Sequence, residues 1–216
     1  MPAEVFGTDA RITFIANPNS PTGTLIPTHI IEDLAASLKG LLVVDEAYVD
    51  FSGPGCINLV GRFANLIVVR TMSKSFSLAG MRLGFCVAAP ELIAGLWKAK
   101  DHYNINRLSL IAAEAALDDI GHMRANAAAI QTTRSRLITH LATLGFTLPI
   151  SAANFVLAQI NEPPAAYLYQ ELKKRRILVR YFNQRRLQDC LRITVGTDVE
   201  IDTFLKVLEE NLPSAC

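Results

Sequence analysis

Three short apolar runs, each broken off by side chains that can do chemistry, constrain this chain more than any other feature. Residues 66–69 (LIVV) stop at Arg70, and Thr71, Ser73 and Lys74 follow; Gly80 and Arg82 come next, before the apolar pattern resumes at Leu83. Residues 41–44 (LLVV) run straight into Asp45, Glu46, Ala47 and Tyr48. Residues 11–16 (RITFIA) lead into 17–24 (NPNSPTGT), a stiff polar segment with Pro18 and Pro21. Runs this short and this rich in Val, Ile and Leu read as buried strands. Residues 27–38 place Ile30, Ile31, Leu34 and Leu38 on one helical face, with Pro27 near the start and Gly40 past the end. The pattern predicts an α/β fold with a mostly parallel sheet, in which ligands sit beyond the carboxyl ends of the strands. Each feature alone has a plainer reading. A lysine is usually a solvated charge, Asp45 after a strand can be a cap or loop residue, and Pro, Asn and Gly are turn residues for steric reasons.

Composition bounds the alternatives. The chain has 216 residues, half of them hydrophobic, enough for one large or two small domains. A net charge of +1 creates no field toward nucleic acid or an anionic membrane. The basic clusters 173–176 and 185–186 are short, and the first falls at a predicted helix end, where cations suit the dipole. No apolar run is long enough for a transmembrane helix, and residues 1–4 do not look like a signal peptide. Cys56, Cys86, Cys190 and Cys216 lack metal spacing and read as free thiols in a reducing compartment. The expectation is a cytoplasmic protein that binds small molecules and no metal.

Asp45 and Lys74, ending two strands, have a joint chemical logic. An amine can form a Schiff base with a carbonyl cofactor, and a carboxylate can hold a pyridinium nitrogen protonated. Thr71, Ser73 and Arg82 flank the lysine and supply the hydroxyls and guanidinium that a cofactor phosphate needs.

NPNSPTG, VVDEAY and RTMSKSFSLAGMRLGF, in this order and spacing, resemble the fold-type-I pyridoxal-phosphate (PLP) enzymes, and within them most of all the histidinol-phosphate aminotransferases. The whole chain resembles the C-terminal part of that family. The resemblance implies that Lys74 carries PLP covalently and then acts as general base and acid, that Asp45 pairs with the pyridinium nitrogen, and that Tyr48 hydrogen-bonds the cofactor O3′. Ser73 and Arg82 would bind the phosphate, with Thr71 a lesser candidate. The family usually reads Asn directly before Pro-Thr-Gly, and that asparagine also reaches O3′. Here the position holds Ser20, with Asn19 one place earlier; either Asn19 shifts into the role or the Ser20 hydroxyl substitutes, and Asn19 is the candidate carried forward.

Further along, residues 84–88 predict a strand and 90–100 a helix. The polar loop 101–108 resembles the family segment near the substrate side chain. Tyr103, Asn104 and Asn106 are candidates for that pocket, whereas His102 is read as hydrogen-bonded to backbone. Residues 108–120, apolar on most sides, predict a helix packed in the interior. Gly121 marks a break, and residues 122–144 form a long helix. A compact α+β lobe comes after it: strands at 154–160, 177–180 and 190–195, and helices at 163–175 and 198–212, the last capped by Asp198. The expected division is 1–120, a partial PLP-binding domain, and 121–216, a small C-terminal domain. Arg192 lies inside an apolar strand, where an arginine needs an anionic partner. That partner is a structural carboxylate or, as the resemblance implies, the substrate's α-carboxylate. Arg180 matches the family arginine that contacts substrate phosphate.

The implied reaction is transamination between histidinol phosphate, or a related phosphorylated or aromatic amine, and 2-oxoglutarate/glutamate, in histidine biosynthesis, by a homodimer. A decarboxylase of a phosphorylated amino acid shares these motifs. A non-catalytic fragment is the third reading, because the family's preceding portion, with its phosphate-binding glycine loop and ring-stacking aromatic, finds no counterpart here. The fold is then expected to be incomplete on that side, with apolar surface exposed.

Overall fold

β1 (Ile12–Ala16), β2 (Leu41–Asp45) and β3 (Leu66–Thr71) pair in parallel, and β4 (Gly84–Ala88) closes the sheet antiparallel to β3. Residues 3–213 are described in this computed structural model. They divide into two compact units: the chain up to Asn19 with Leu25–Ala127, and Ser20–Thr24 with the chain from Ala128 onward.

In the first unit, alternation along the strands sends Ile15, Leu42, Val44, Leu66 and Val68 to one face. There they pack with Ile31, Leu34, Ala35 and Leu38, the apolar stripe of α1 (Thr28–Ser37) and its C-cap. Each fully buried aliphatic side chain contributes roughly 1.5–3 kcal/mol, so this face determines the strand register. The opposite face of β1 is open: Ile12 is 48 % and Phe14 72 % exposed. α2 (Pro90–Ala99) lies against β4.

α3 (Arg107–Asp118) corrects the expectation of an interior helix. Leu108, Leu110, Ile111 and Leu117 are exposed, and only Ser109 and Ala113 are buried. Its anchor is polar: Asn106 caps the first turn through Ser109 N–H, and Ser109 Oγ donates to Met81 O at 2.7 Å. A helix apolar on most sides does not announce which side its neighbours take. The break between helices falls at Asp119, not Gly121; α4 runs from Ile120 to Thr143.

In the second unit, β5 (Phe155–Gln159), β6 (Arg180–Tyr181) and β7 (Cys190–Thr194) form an antiparallel sheet in the order β5-β7-β6. α5 (Ala165–Lys174) and α6 (Asp198–Glu209) pack on it with the later part of α4, around Leu137, Leu141, Leu168, Leu172, Leu191 and Leu208. Two expectations shift here. Arg180 begins β6 rather than ending a strand, because pairing starts only where Arg192 stands opposite; Leu178 before it is 80 % exposed. The cap of α6 is Thr197, in a reciprocal capping box with Glu200. Asp198 is the first helical residue and accepts instead from Thr133 Oγ1 and Arg136. Cys56, Cys86 and Cys190 are free thiols; Cys216 lies outside the described residues. No helix among them is long and apolar enough to cross a membrane.

Candidate functional site

Adjacent parallel strands bring two of the predicted residues to one edge of the sheet. Asp45 is the last residue of β2, paired with Ala16 and Val69. Its side chain is exposed, and Oδ1 accepts from Ala47 N–H at 3.0 Å, a local turn that frames the carboxylate. The chain then enters a 3₁₀ turn (Val49–Phe51) whose first capping residue is Tyr48. Lys74 comes after β3, and its Nζ lies 5.2 Å from the centre of the Tyr48 ring, within cation–π range.

The loop carrying Lys74 is held by its own backbone. Met72 N–H donates to Leu83 O, Leu78 N–H to Met72 O, and Ser77 N–H to Lys74 O. Thr71 Oγ1 donates to Leu83 O at 3.3 Å and accepts from Ser73 N–H, so this hydroxyl shapes the loop. Ser77 and Arg82 have φ of 57° and 53°, the left-handed region that non-glycine residues seldom occupy. Arg82 is exposed at the end of the 3₁₀ turn Ala79–Met81, with Nη1 donating to Ala79 O.

The polar segment after β1 is divided between the two units. Asn17 is buried and closes the loop by two bonds to Ile26 backbone atoms. Asn19 is half-buried. Ser20 falls in the second unit, as does Gly23, whose φ of 74° and contact with Ser151 leave no room for a Cβ.

In the second unit, Arg180 and Arg192 face each other directly across β6 and β7. Like charges placed so repel unless an anion lies between them. None of the ion pairs among the described residues involves either arginine. Arg192 stacks its guanidinium over Phe155 (5.0 Å) and Phe182 (5.9 Å), and Arg180 lies over Phe182 (5.5 Å). Arg192 Nη1 donates to Ser20 Oγ at 3.2 Å, while its buried Nε has no partner. The aromatic rings hold the two forks in place and leave donors for an incoming anion.

Tyr103 is almost wholly exposed, and Asn104 is also exposed on the loop before α3. Asn106 is spent as the α3 cap. His102 is exposed.

Reading the residues did not single out Glu46, Arg70, Asp50 and Ser75. Glu46 is fully buried and accepts from Arg70 Nε (2.9 Å) and from Cys56 N–H, with Arg70 Nη2 at 2.8 Å. Arg70 Nη2 also donates to Pro54 O, and Nη1 lies 3.9 Å from Asp50. Ser75 Oγ donates to Asp50 Oδ2. Gly55, at φ 71°, lies so close to the Glu46 carboxylate that any Cβ would collide with it. Burial, and then Glu46, push the Cys56 thiol up to about 12. The available signal was alternation: Glu46, next after Asp45, must turn to the buried side, and Arg70 stands near the end of the neighbouring strand.

Residues 6–208 match the family model for aminotransferases of class I and II. The chain belongs to this family. Among curated aminotransferases, the histidinol-phosphate aminotransferase 1 of Nostoc sp. (strain PCC 7120) is 45 % identical over 98 % of this chain and 60 % of its own length. That of Citrifermentans bemidjiense is 44 % identical over 94 % and 58 %. Among solved structures, the histidinol-phosphate aminotransferase of Sinorhizobium meliloti, in complex with pyridoxal-5′-phosphate, superposes with a TM-score of 0.83 at 29 % identity, covering 93 % of this chain and 58 % of that one. The chain therefore spans about 60 % of the length of the curated aminotransferases it matches. The fold is that of fold type I, of which this chain forms a part.

Proposed function

We propose that this chain carries the catalytic core of a PLP-dependent aminotransferase acting on histidinol phosphate, or a related phosphorylated amine, with 2-oxoglutarate/glutamate as the second pair, in histidine biosynthesis. The observation that carries the reading is the Lys74 amine over the Tyr48 ring, on the loop after β3, beside the strand that ends in Asp45. An amine, a carboxylate, hydroxyls and a guanidinium gathered after two adjacent strands fit a phosphorylated pyridine aldehyde.

When bound, PLP supplies an electrophilic carbonyl carbon and an electron sink. Lys74 Nζ would hold it and, once the substrate amine has displaced it, would be free to take the proton from the amine-bearing carbon of the substrate. Asp45 holds the ring nitrogen protonated, and Tyr48 and Asn19 are the candidates for O3′. Ser73 and Arg82 take the phosphate; Thr71 has a lesser part, because its proton goes to Leu83 O. Arg180 receives the substrate phosphate. Arg192 receives the glutamate carboxylate in one half-reaction and the hydroxymethyl end of histidinol phosphate in the other. Association with a second copy belongs to the same proposal, supported by the exposed apolar side chains of β1 and α3.

The test is incubation with PLP, reduction with borohydride, and mass mapping of the modified lysine, then an assay of glutamate formation from histidinol phosphate or its reverse. Label on Lys74, lost in Lys74→Ala, supports the reading. A folded chain that takes no label at Lys74 refutes it. Carbon dioxide release from a phosphorylated amino acid without amino transfer would assign a decarboxylase instead.

A further inference from the structure

The geometry points to a latch, Asp50–Ser75, that positions Lys74 against Tyr48 before any cofactor arrives. It rests on the reading of Lys74 as the cofactor-holding amine. Two segments meet in this part of the first unit. One runs from Asp45 through Tyr48 into the 3₁₀ turn that contains Asp50. The other is the loop carrying Lys74 and Ser75.

Ser75 is buried, comes directly after Lys74, and donates its hydroxyl proton to Asp50 Oδ2. Asp50 lies two residues after Tyr48. One side-chain bond therefore joins the segment bearing the aromatic ring to the segment bearing the amine, two residues from the ring and one from the amine.

The latch has a buried footing. Arg70, near the end of β3, reaches Asp50 through Nη1 and Glu46 through Nε and Nη2. Glu46, directly after Asp45, is also tied to Cys56 N–H. Glu46, Arg70, Asp50 and Ser75 thus form a continuous polar chain from the neighbour of Asp45 to the neighbour of Lys74. It has two carboxylates and one guanidinium, and all four side chains are buried or half-buried. Each carboxylate on it has a donor. A chain of this kind favours one geometry, because the alternatives leave the buried Glu46 carboxylate or the half-buried Asp50 short of a donor. None of the four needs to touch the cofactor. Their part is to keep the amine where a carbonyl carbon can meet it, so that ordering is not left to the binding step. Ser75 and Asp50 are positioning residues.

The experiment reads the amine without PLP, so it stands apart from the labelling test above. Trace acetylation of the folded chain, with peptide mass spectrometry as the readout, gives the rate at Lys74 relative to the exposed Lys98 and Lys206. Ser75→Ala is expected to raise the Lys74 ratio by roughly 2–5-fold, the size of a half-exposed cation–π contact. Ser75→Thr, which keeps the hydroxyl, is expected to restore it. Asp50→Ala, which removes the acceptor at a half-buried position, should match Ser75→Ala and serves as the second variant if that one does not fold. A lowered melting temperature with an unchanged Lys74 ratio in either alanine variant would assign these residues to stability alone and overturn the proposal. So would failure of Ser75→Thr to restore the ratio in a folded chain.

Discussion

Replacing Arg70 by Met is expected to damage the first unit more than replacing Glu46, its partner. The reason is the unequal burial of the pair: the Arg70 side chain is 18 % exposed and that of Glu46 is 0 %. In Arg70→Met the Glu46 carboxylate loses both Arg70 contacts, and with them the neighbouring positive charge, and keeps the Cys56 N–H and thiol. An uncompensated buried charge costs about 3–5 kcal/mol. At roughly 2–4 °C per kcal/mol for a chain of this size, the melting temperature falls by about 6–20 °C. In Glu46→Gln, Arg70 keeps Pro54 O and Asp50 and retains access to water. The loss there is that of a charge-assisted bond, about 1.5–3 kcal/mol. Arg70→Met/Glu46→Gln should be less destabilised than Arg70→Met alone, because the buried Glu46 charge is no longer left stranded; contacting residues couple by about 0.5–3 kcal/mol. Urea unfolding monitored by the fluorescence of Trp97, the single tryptophan and a member of α2 in the first unit, measures each variant. Equal losses for the two single variants with no coupling in the double would refute the argument. So would a cost below about 1 kcal/mol for Arg70→Met.

Arg180→Ala is expected to weaken binding of a phosphorylated amine far more than that of glutamate, in competition assays against labelled substrate; equal losses would contradict the phosphate role. Thr197→Ala removes the α6 cap and should lower the stability of the second unit by about 0.5–2 kcal/mol, read from its urea midpoint. Hydrogen bonds from Thr133 and then Arg136 hold the Asp198 carboxyl below its usual range. Its contribution is therefore full above the ordinary carboxylate pKa and lost as pH falls through the lower folded value. The urea midpoint of Arg136→Ala should accordingly decline less steeply than that of wild type below about pH 4. Among the described cysteines, thiol alkylation at pH 8 should favour Cys86, the half-buried one. Burial raises Cys56 to about 12 and Cys190 to about 11, leaving thiolate fractions of roughly 10⁻⁴ and 10⁻³. Labelling of Cys56 as fast as Cys86 would contradict the buried placement.

The sequence alone determined the strands of the first unit to within a residue or so, and β5 and β7 of the second, but not where β6 begins. LLVV before Asp45 and LIVV before Arg70 are legible because burial on both faces demands unbroken apolar runs, and the residues just past such a run stand at the sheet edge. Lys74 and Asp45 could thus be paired before any geometry was known. Local chemistry was less legible where two adjacent residues competed for one task. Thr197 and Asp198 are both good caps, and only the backbone turn decides that Thr197 meets Glu200 while Asp198 turns to Thr133 and Arg136. Helix faces were decided by neighbours: α3 is apolar on most sides, and the bond from Ser109 to Met81 O selects the side that is covered. The opposed Arg180 and Arg192 came from strand register, which depends on pairing between separate segments of the chain. The Glu46–Arg70–Asp50–Ser75 chain came from the tertiary structure alone. Its members are ordinary charged and polar residues in sequence. They acquire a role because burial limits water as a partner and leaves one another and a few backbone groups, Cys56 N–H and Pro54 O, to satisfy them.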